Sequence, residues 1–334
     1  AVTIQGNHGH VNRADRVVVM NSGEIVEAGT ALDVYRSPSH PYTKKLIGSV
    51  PGAGEIAAPK DTGIKPILEV NGVSKTYDSL KALEGASFTV LPAETVAIVG
   101  ESGSGKSTLA KTLLRLEAAT AGEALYQGRD LLTMSERQLF ACRRDVQMVF
   151  QDPTQSLNPR MSVGEIISEA FVIHPEILPK REWADRTRQL LQQVGLDPSH
   201  VRRYPHQFSG GQRQRIAIAR ALALEPSLII CDEAVSALDV SIQAQVIQLL
   251  RRLQDELGLS YIFIAHDLPL VRDFARRVLV MQGGRIVEQG PVAEIFDRPR
   301  EEYTRDLLAA SLHPDPEVQA ERRHEREVAR AAHG

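Results

Sequence analysis

Apolar residues in this chain collect in short unbroken runs, and polar or glycine positions close each run. Thr95-Val96-Ala97-Ile98-Val99, Leu228-Ile229-Ile230-Cys231 and Tyr261-Ile262-Phe263-Ile264-Ala265 show no alternation. That is the pattern of strands buried on both faces of a parallel sheet. Val146-Gln147-Met148-Val149-Phe150 reads as a further strand. The residues that follow these runs are Gly100, Asp232-Glu233, His266 and Gln151. A different period marks Arg213–Leu224, where Ile216, Ala219, Leu222 and Ala223 fall on one helical face behind an N-cap at Ser209. Buried strands interleaved with helices predict an α/β fold.

The chain also repeats itself. A shift of 261 positions lays Ala14, Arg16, Val17, Val19 and Met20 on Ala275, Arg277, Val278, Val280 and Met281. It lays Gly23, Ile25, Val26, Glu27 and Gly29 on Gly284, Ile286, Val287, Glu288 and Gly290, and Pro38, Tyr42, Thr43 and Leu46 on Pro299, Tyr303, Thr304 and Leu307. Ordered matching without gaps is a duplication signal. The early copy lacks the phosphate-binding and acidic motifs described below, and Gln5 and Gly6 stand opposite His266 and Asp267. The expected organisation is therefore the end of a first unit over 1–50, a Gly-, Ala- and Pro-rich linker over 51–65, a complete unit over 66–312, and a charged, flexible tail over 313–334.

Composition narrows the classes. A formal net charge of −3 argues against bulk nucleic-acid binding. No run of about eighteen apolar residues is present to span a bilayer. Ala1–Gly6 has no basic stretch ahead of an apolar core and does not fit a secretory signal. The missing initiator Met leaves open both its removal and a chain cut from something longer. Cys142 and Cys231 are far apart, fit no metal spacing, and read as small apolar residues in a reducing cytoplasm.

The chemistry centres on Gly100-Glu101-Ser102-Gly103-Ser104-Gly105-Lys106-Ser107, a complete P-loop between a strand and a helix opening at Lys106-Ser107-Thr108. Glycines let successive N–H groups face phosphate oxygens, and the helix N-terminus adds positive potential. Lys106 is placed for the β- and γ-phosphates and Ser107 for Mg²⁺. Asp232 would hold Mg²⁺ through water, and Glu233 would polarise the attacking water. Tyr77 either stacks on adenine or is a half-exposed strand tyrosine. Gln151 either meets Mg²⁺ or water or caps its strand, and His266 either donates to the γ-phosphate or is a satisfied strand-end histidine. Ser209-Gly210-Gly211-Gln212 forms a second anion site at a helix N-terminus. If both surfaces touch one nucleotide, they come from different subunits.

These residues resemble the ATP-binding cassette (ABC) ATPases over about 66–290. Gly100–Ser107 is similar to Walker A and Leu228–Asp232 to Walker B, with Glu233 as the catalytic glutamate. Phe208–Gln212 resembles the signature, with Phe208 in place of the usual Leu. Tyr77 is similar to the A-loop, Gln151 to the Q-loop, Ser236–Asp239 to the D-loop and His266 to the H-loop. The resemblance implies a P-loop NTPase fold with a RecA-like parallel-sheet core, an antiparallel β subdomain and an α-helical signature subdomain over about 155–215. It implies ATP and Mg²⁺ as cofactors and two ATPs held head to tail between two such subunits, identical or paralogous. It further implies two transmembrane permease subunits, an extracytoplasmic solute-binding protein acting indirectly, and a peripheral position on the cytoplasmic face of the membrane.

Ser39–Leu46 and Glu302–Leu308 resemble the C-terminal extension of oligopeptide and dipeptide importer ATPases, as does Gln151–Met161 that branch. The cysteine cluster of some members is missing, so no iron–sulfur site is expected. The whole resembles the C-terminal part of a fused tandem peptide-importer ATPase. Repair-type relatives without a permease insert a long coiled coil between Walker A and the signature, and ribosome-acting ones keep two cassettes; neither pattern is seen here. A regulatory protein that binds ATP without turnover, and an exporter cassette, fit less well with Glu233, His266 and the His40-Pro41-Tyr42 extension.

Overall fold

The computed structural model describes residues 2–4, 16–21, 23–48 and 63–310. Most of the expected linker, the tail, and Gln5 with Gly6 lie outside the described residues. In chain order the strands and α-helices are β1 (Val2–Ile4), β2 (Arg16–Asn21), β3 (Glu24–Thr30), α1 (Ala31–Arg36), α2 (Pro41–Gly48), β4 (Leu68–Tyr77), β5 (Leu80–Val90), β6 (Thr95–Val99), α3 (Lys106–Leu113), β7 (Ala121–Tyr126), β8 (Arg129–Asp130), α4 (Glu136–Asp145) and β9 (Val146–Val149). They continue with α5 (Pro153–Ser156), α6 (Val163–Ile173), α7 (Trp183–Gln193), α8 (Gly210–Leu222), β10 (Leu228–Asp232), α9 (Val240–Leu257), β11 (Ser260–Ile264), α10 (Leu268–Phe274), β12 (Arg277–Gln282), β13 (Arg285–Pro291), α11 (Val292–Asp297) and α12 (Glu302–Ala310).

The unbroken apolar runs become the centre of a six-stranded sheet of order β13-β12-β6-β11-β10-β9. Strands β12 to β9 in that order are parallel and β13 closes one edge antiparallel. Every residue of β6, β10 and β11 is buried, which explains their lack of alternation. The helix α9 lays Val246, Ile247, Leu250 and Leu253 into the same core as Tyr261 and Phe263. The Tyr261 hydroxyl, deep in that core, donates to Leu250 O at 3.1 Å, so its polar end is satisfied.

A four-stranded antiparallel sheet, β5-β4-β7-β8, packs against the other face together with α3 and α4. Arg277 ties the two sheets. Its guanidinium meets both carboxylate oxygens of buried Glu94, at 2.6 and 3.0 Å, and donates to Thr89 O on β5. A two-pronged charge-assisted bond of this kind fixes geometry as well as adding energy. Helices α5 to α8 form the helical part, with Ile166, Phe171, Leu190 and Ile216 in its core.

Helix α8 has Ser209 as its N-cap, as read from the sequence, but spans Gly210–Leu222 where Arg213–Leu224 was expected. The cause is a capping box: Gln212 N–H donates to Ser209 Oγ and Ser209 N–H to Gln212 Oε1. This pairing draws two glycines, poor helix formers by about 1 kcal/mol each, into the first turn. Ile216, Ala219, Leu222 and Ala223 are all buried as their spacing requires.

The repeat has the same structure twice. β2, β3 and α1 coincide residue for residue with β12, β13 and α11 under the same shift, and both hairpins carry an irregularity at the same place, Val19/Met20 and Val280/Met281. In each copy a glutamate accepts two backbone N–H groups of the turn before the last helix. Glu27 takes those of Ser39 and His40 at 2.7 and 3.1 Å; Glu288 takes those of Arg300 and Glu301 at 2.8 and 3.2 Å. One difference stands out. β1 pairs with β2 through Val2↔Val17 and Ile4↔Val19, whereas the matching positions of β12 pair with β6 through Val278↔Ala97 and Val280↔Val99. In the early copy β1 thus lies where β6 lies in the later one.

Candidate functional site

The P-loop, residues 100–107, turns from β6 into α3 between two other backbones. Gly100 has φ +147°, and a Cβ there would sit 2.2 Å from Met281 O. Gly105 has φ +103°, and its Cβ would sit 2.6 Å from Ala82 O. Only glycine fits either place. The Lys106 ammonium, 3% exposed, donates to Gly100 O at 2.8 Å, Glu101 O at 2.7 Å and Ser104 Oγ at 3.3 Å. Burial pulls its pKa down, and the nearby Glu233 and Asp232 carboxylates work against that pull.

Ser107 Oγ donates to Asp232 Oδ1 at 3.0 Å. Burial pushes the Asp232 carboxyl up, opposed by this hydrogen bond. Two hard oxygen donors side by side below the loop suit a Mg²⁺-type ion that keeps much of its water. Among the described residues no group of three or more His, Cys, Asp or Glu side chains is arranged to hold a metal ion.

Parallel pairing brings the remaining candidates together. β9, β10 and β11 are neighbours in the sheet, so the residues just beyond their C-terminal ends converge. Glu233 follows β10 with φ +48°, a left-handed conformation that costs a non-glycine residue about 1–3 kcal/mol. Its N–H donates to Ile264 O at 3.0 Å, and its carbonyl accepts from Ser236 N and Oγ at 3.1 and 3.0 Å. The turn so held aims the carboxylate at Gln151 and His266. Gln151 Nε2 donates to Glu233 Oε2 at 2.7 Å, and His266 Nε2 contacts Glu233 Oε1.

These side chains line a cleft of about 730 Å³. Of the residues predicted from sequence, Tyr77, Ser102, Gly103, Gly105, Lys106, Ser107, Thr108, Gln151, Glu233 and His266 border it. Tyr77 ends β4, with Lys75 Nζ 4.5 Å from its ring centre. Gly100, Glu101, Ser104 and Asp232 are not on the lining; Gly100, Glu101 and Ser104 hold Lys106, and Asp232 holds Ser107. Ser209, Gly210, Gly211 and Gln212 do not border the cleft at all. They form the start of α8, where a Cβ on Gly211 would lie 2.3 Å from Ile242 Cγ2 of α9.

Lys81, Ala82, Gly283 and Gly284 also border the cleft, and sequence reasoning missed them. Gly283-Gly284 is legible as a two-residue hairpin turn. Its place beside the P-loop is tertiary: Gly284 N–H donates to Ser104 O at 3.0 Å. Tyr303, recognised only as part of an extension, reaches the loop as well. Glu101 N–H donates to its hydroxyl at 3.1 Å.

Comparison with known proteins adds the family. A model described as ABC transporter matches residues 83–236, and one described as the oligopeptide/dipeptide transporter C-terminal region matches 26–77 and 287–334, once for each copy of the repeat. The glutathione import ATP-binding protein GsiA of Escherichia coli (strain K12) is 44% identical over 345 aligned positions, covering 93% of this chain and 55% of the relative. The protein of the same name from Shigella boydii serotype 4 (strain Sb227) gives the same values. The chain thus spans about half the length of these curated relatives. Among solved structures, cbiO1 from Clostridium perfringens, part of the ABC transporter complex cbiONQ, is 31% identical with a TM-score of 0.63, covering 70% of this chain and 91% of that one. The dimeric ATP-binding cassette MJ0796 in a post-hydrolysis state, bound to ADP and Pi, is 29% identical with a TM-score of 0.61, covering 67% and 98%. The chain belongs to the ATP-binding proteins of the ABC transporter family, in the branch that carries the oligopeptide/dipeptide C-terminal region.

Proposed function

We propose that the chain hydrolyses ATP in this cleft to drive import of peptides or related small solutes through a membrane permease. The observation that carries the reading is Glu233 held between Gln151 and His266 above a P-loop whose Ser107 is bonded to Asp232. Tyr77 stacks on the adenine, and the loop N–H groups with Lys106 take the phosphates. Ser107 and Gln151 would hold Mg²⁺ directly and Asp232 through water, where the ion would supply neutralisation of phosphate charge. Glu233 takes the proton of the attacking water in line with the γ-phosphate, Gln151 orients that carboxylate, and His266 donates to the phosphoryl oxygen.

The signature residues Ser209, Gly210, Gly211 and Gln212 face a second subunit's nucleotide in this reading, which is in keeping with their distance from the chain's own cleft. The partners are then a second ABC ATPase, identical or paralogous, two permease subunits at the cytoplasmic face of the membrane, and indirectly a solute-binding protein. The relatives' names make glutathione one candidate solute. Residues 1–50 are taken as the end of a first cassette, 51–65 as linker, 66–312 as the complete cassette and 313–334 as a tail; the doubled match to the transporter C-terminal region supports the presence of two copies of that region, though its bounds run across those of the division.

The test is steady-state ATPase activity of the purified chain against its own concentration, with Glu233→Gln as control. Activity rising faster than linearly, and lost in the variant, is expected. Absence of both ATP binding and turnover at every concentration would overturn the reading.

A further inference from the structure

The oligopeptide-type extension has no assigned part in the nucleotide site, yet it touches the P-loop. We propose that Tyr303 is a positioning residue for ATP, acting through Glu101 on Lys106. The inference rests on the reading of the cleft as an ATP site. Glu101 is fixed from both ends. Its N–H donates to the Tyr303 hydroxyl at 3.1 Å, and its carbonyl receives the Lys106 ammonium at 2.7 Å. Two hydrogen bonds therefore separate a helix near the chain's end from the cation that meets the phosphates.

The support behind Tyr303 is rigid. The Glu288 carboxylate pins the turn at Arg300 and Glu301, immediately before α12, and Arg305 Nη1 donates to Arg300 O at 2.8 Å. The Tyr303 ring, Leu307 and Leu308 pack on the main apolar core. Glu101 N–H is a donor at the mouth of the loop, and Ser104 N–H donates to the Glu101 carbonyl at 3.2 Å, a second tie on the same residue. A fixed acceptor there holds the loop's second residue in the one orientation that presents its carbonyl to Lys106. Tyr303 is thus to the P-loop what a supporting residue outside the ligand shell is to a binding group: it holds the orientation in advance, so that less order is lost on binding.

The repeat supplies an internal control. Tyr42 occupies the same place in the early copy and packs against Val17, Val19, Val34 and Leu46. Among the described residues Tyr42 touches no P-loop, so its substitution tests the fold of the extension alone.

The experiment measures ATP affinity by calorimetry, together with KM and kcat, on the full chain bearing Tyr303→Phe, which keeps the ring and removes the acceptor. Tyr42→Phe is the paired control and Glu288→Gln the second variant, which loosens the turn leading to α12. Loss of one neutral hydrogen bond that orders the loop is expected to weaken ATP binding about threefold to tenfold. KM should rise by a similar factor, more than kcat falls, with the unfolding midpoint of Tyr303→Phe unchanged; Glu288→Gln should shift KM the same way. A purely structural role would lower the midpoint or the active fraction and leave KM alone. Tyr303→Phe binding ATP within a factor of 1.5 of the unaltered chain, or Tyr42→Phe shifting KM equally, would overturn the proposal. Failure of the unaltered chain to bind ATP would instead overturn the reading of the cleft itself, and the role of Tyr303 with it.

Discussion

The Gln151 amide lies 2.7 Å from Glu233 Oε2, while His266 meets the other oxygen of the same carboxylate. The glutamate is thus gripped on both sides by residues from the two flanking strands. Truncating one side, as in Gln151→Ala, leaves a carboxylate oxygen to water and frees the side chain to rotate. Hydrogen bonds to charged groups are worth about 1.5–3 kcal/mol, less where solvent reaches them. Turnover should fall roughly tenfold, with affinity for ATP in the absence of Mg²⁺ little altered, which steady-state kinetics and calorimetry together report. Unchanged turnover would remove Gln151 from any part in orienting Glu233.

Removing the acid itself is more severe. Glu233→Gln keeps the shape and the left-handed turn but cannot take a proton. Hydrolysis should slow by about 10²–10⁴-fold, the usual worth of a positioned general base, while ATP still binds. Single-turnover phosphate release measures this directly.

Gly100 and Gly103 both have positive φ, yet their surroundings differ. A Cβ at Gly100 meets the Met281 carbonyl at 2.2 Å, whereas one at Gly103 meets nothing within 4 Å. Gly100→Ala must displace β12 or the loop and is expected to abolish ATP binding. Gly103→Ala pays only the backbone strain, about 1–3 kcal/mol, and should retain measurable binding. Equal losses in the two variants would show that steric room at the loop does not decide its function.

Gly211 and Ile242 make a testable pair across α8 and α9. Gly211→Ala should destabilise the chain by about 1–3 kcal/mol, since helices packed at 2.3 Å from a new methyl must separate. Ile242→Ala opens the space that the added methyl needs, so the double variant should be more stable than the sum of the single losses by about 1 kcal/mol. Strict additivity in urea unfolding would refute the contact.

The Glu27 clamp gives a pH dependence with a definite sign. Burial would raise the Glu27 carboxyl, but the N–H and hydroxyl of Ser39 and the N–H of His40 outweigh it and bring the pKa to about 2 from 4.5. A folded pKa below the unfolded one means the contribution is complete above 4.5 and is lost as pH falls toward 2. The amide signals of Ser39 and His40 in NMR should hold through pH 4 and shift only near the lower value. A shift centred at the ordinary carboxylate pKa would disprove the clamp.

Much of the cleft could be read from the linear chain because its parts lie at the ends of apolar runs. Gly100, Gln151, Asp232 and His266 each follow such a run, and parallel pairing then places strand ends on one edge. The helical register of Ile216, Ala219 and Leu222 was equally legible from period alone. The start of α8 was legible in part: Ser209 reads as its N-cap, yet two glycines argue against helix, and only the Ser209–Gln212 capping box draws them into the first turn. Lys81, Ala82, Gly284 and Tyr303 were hidden for another reason. They reach the loop across sheet boundaries from distant segments, and no local spacing encodes which hairpin will pass behind a given glycine.

The doubled clamp has a consequence of its own. Glu27 and Glu288 close the same turn in the same way, though the strand beside each hairpin comes from a different part of the chain: β1 in one case, β6 in the other. A shape that recurs when its neighbour is exchanged is specified by its own residues. Hairpin, clamp and closing helix therefore take their shape from their own residues, while the strand that pairs beside them decides what that shape supports: in the later copy, the P-loop itself.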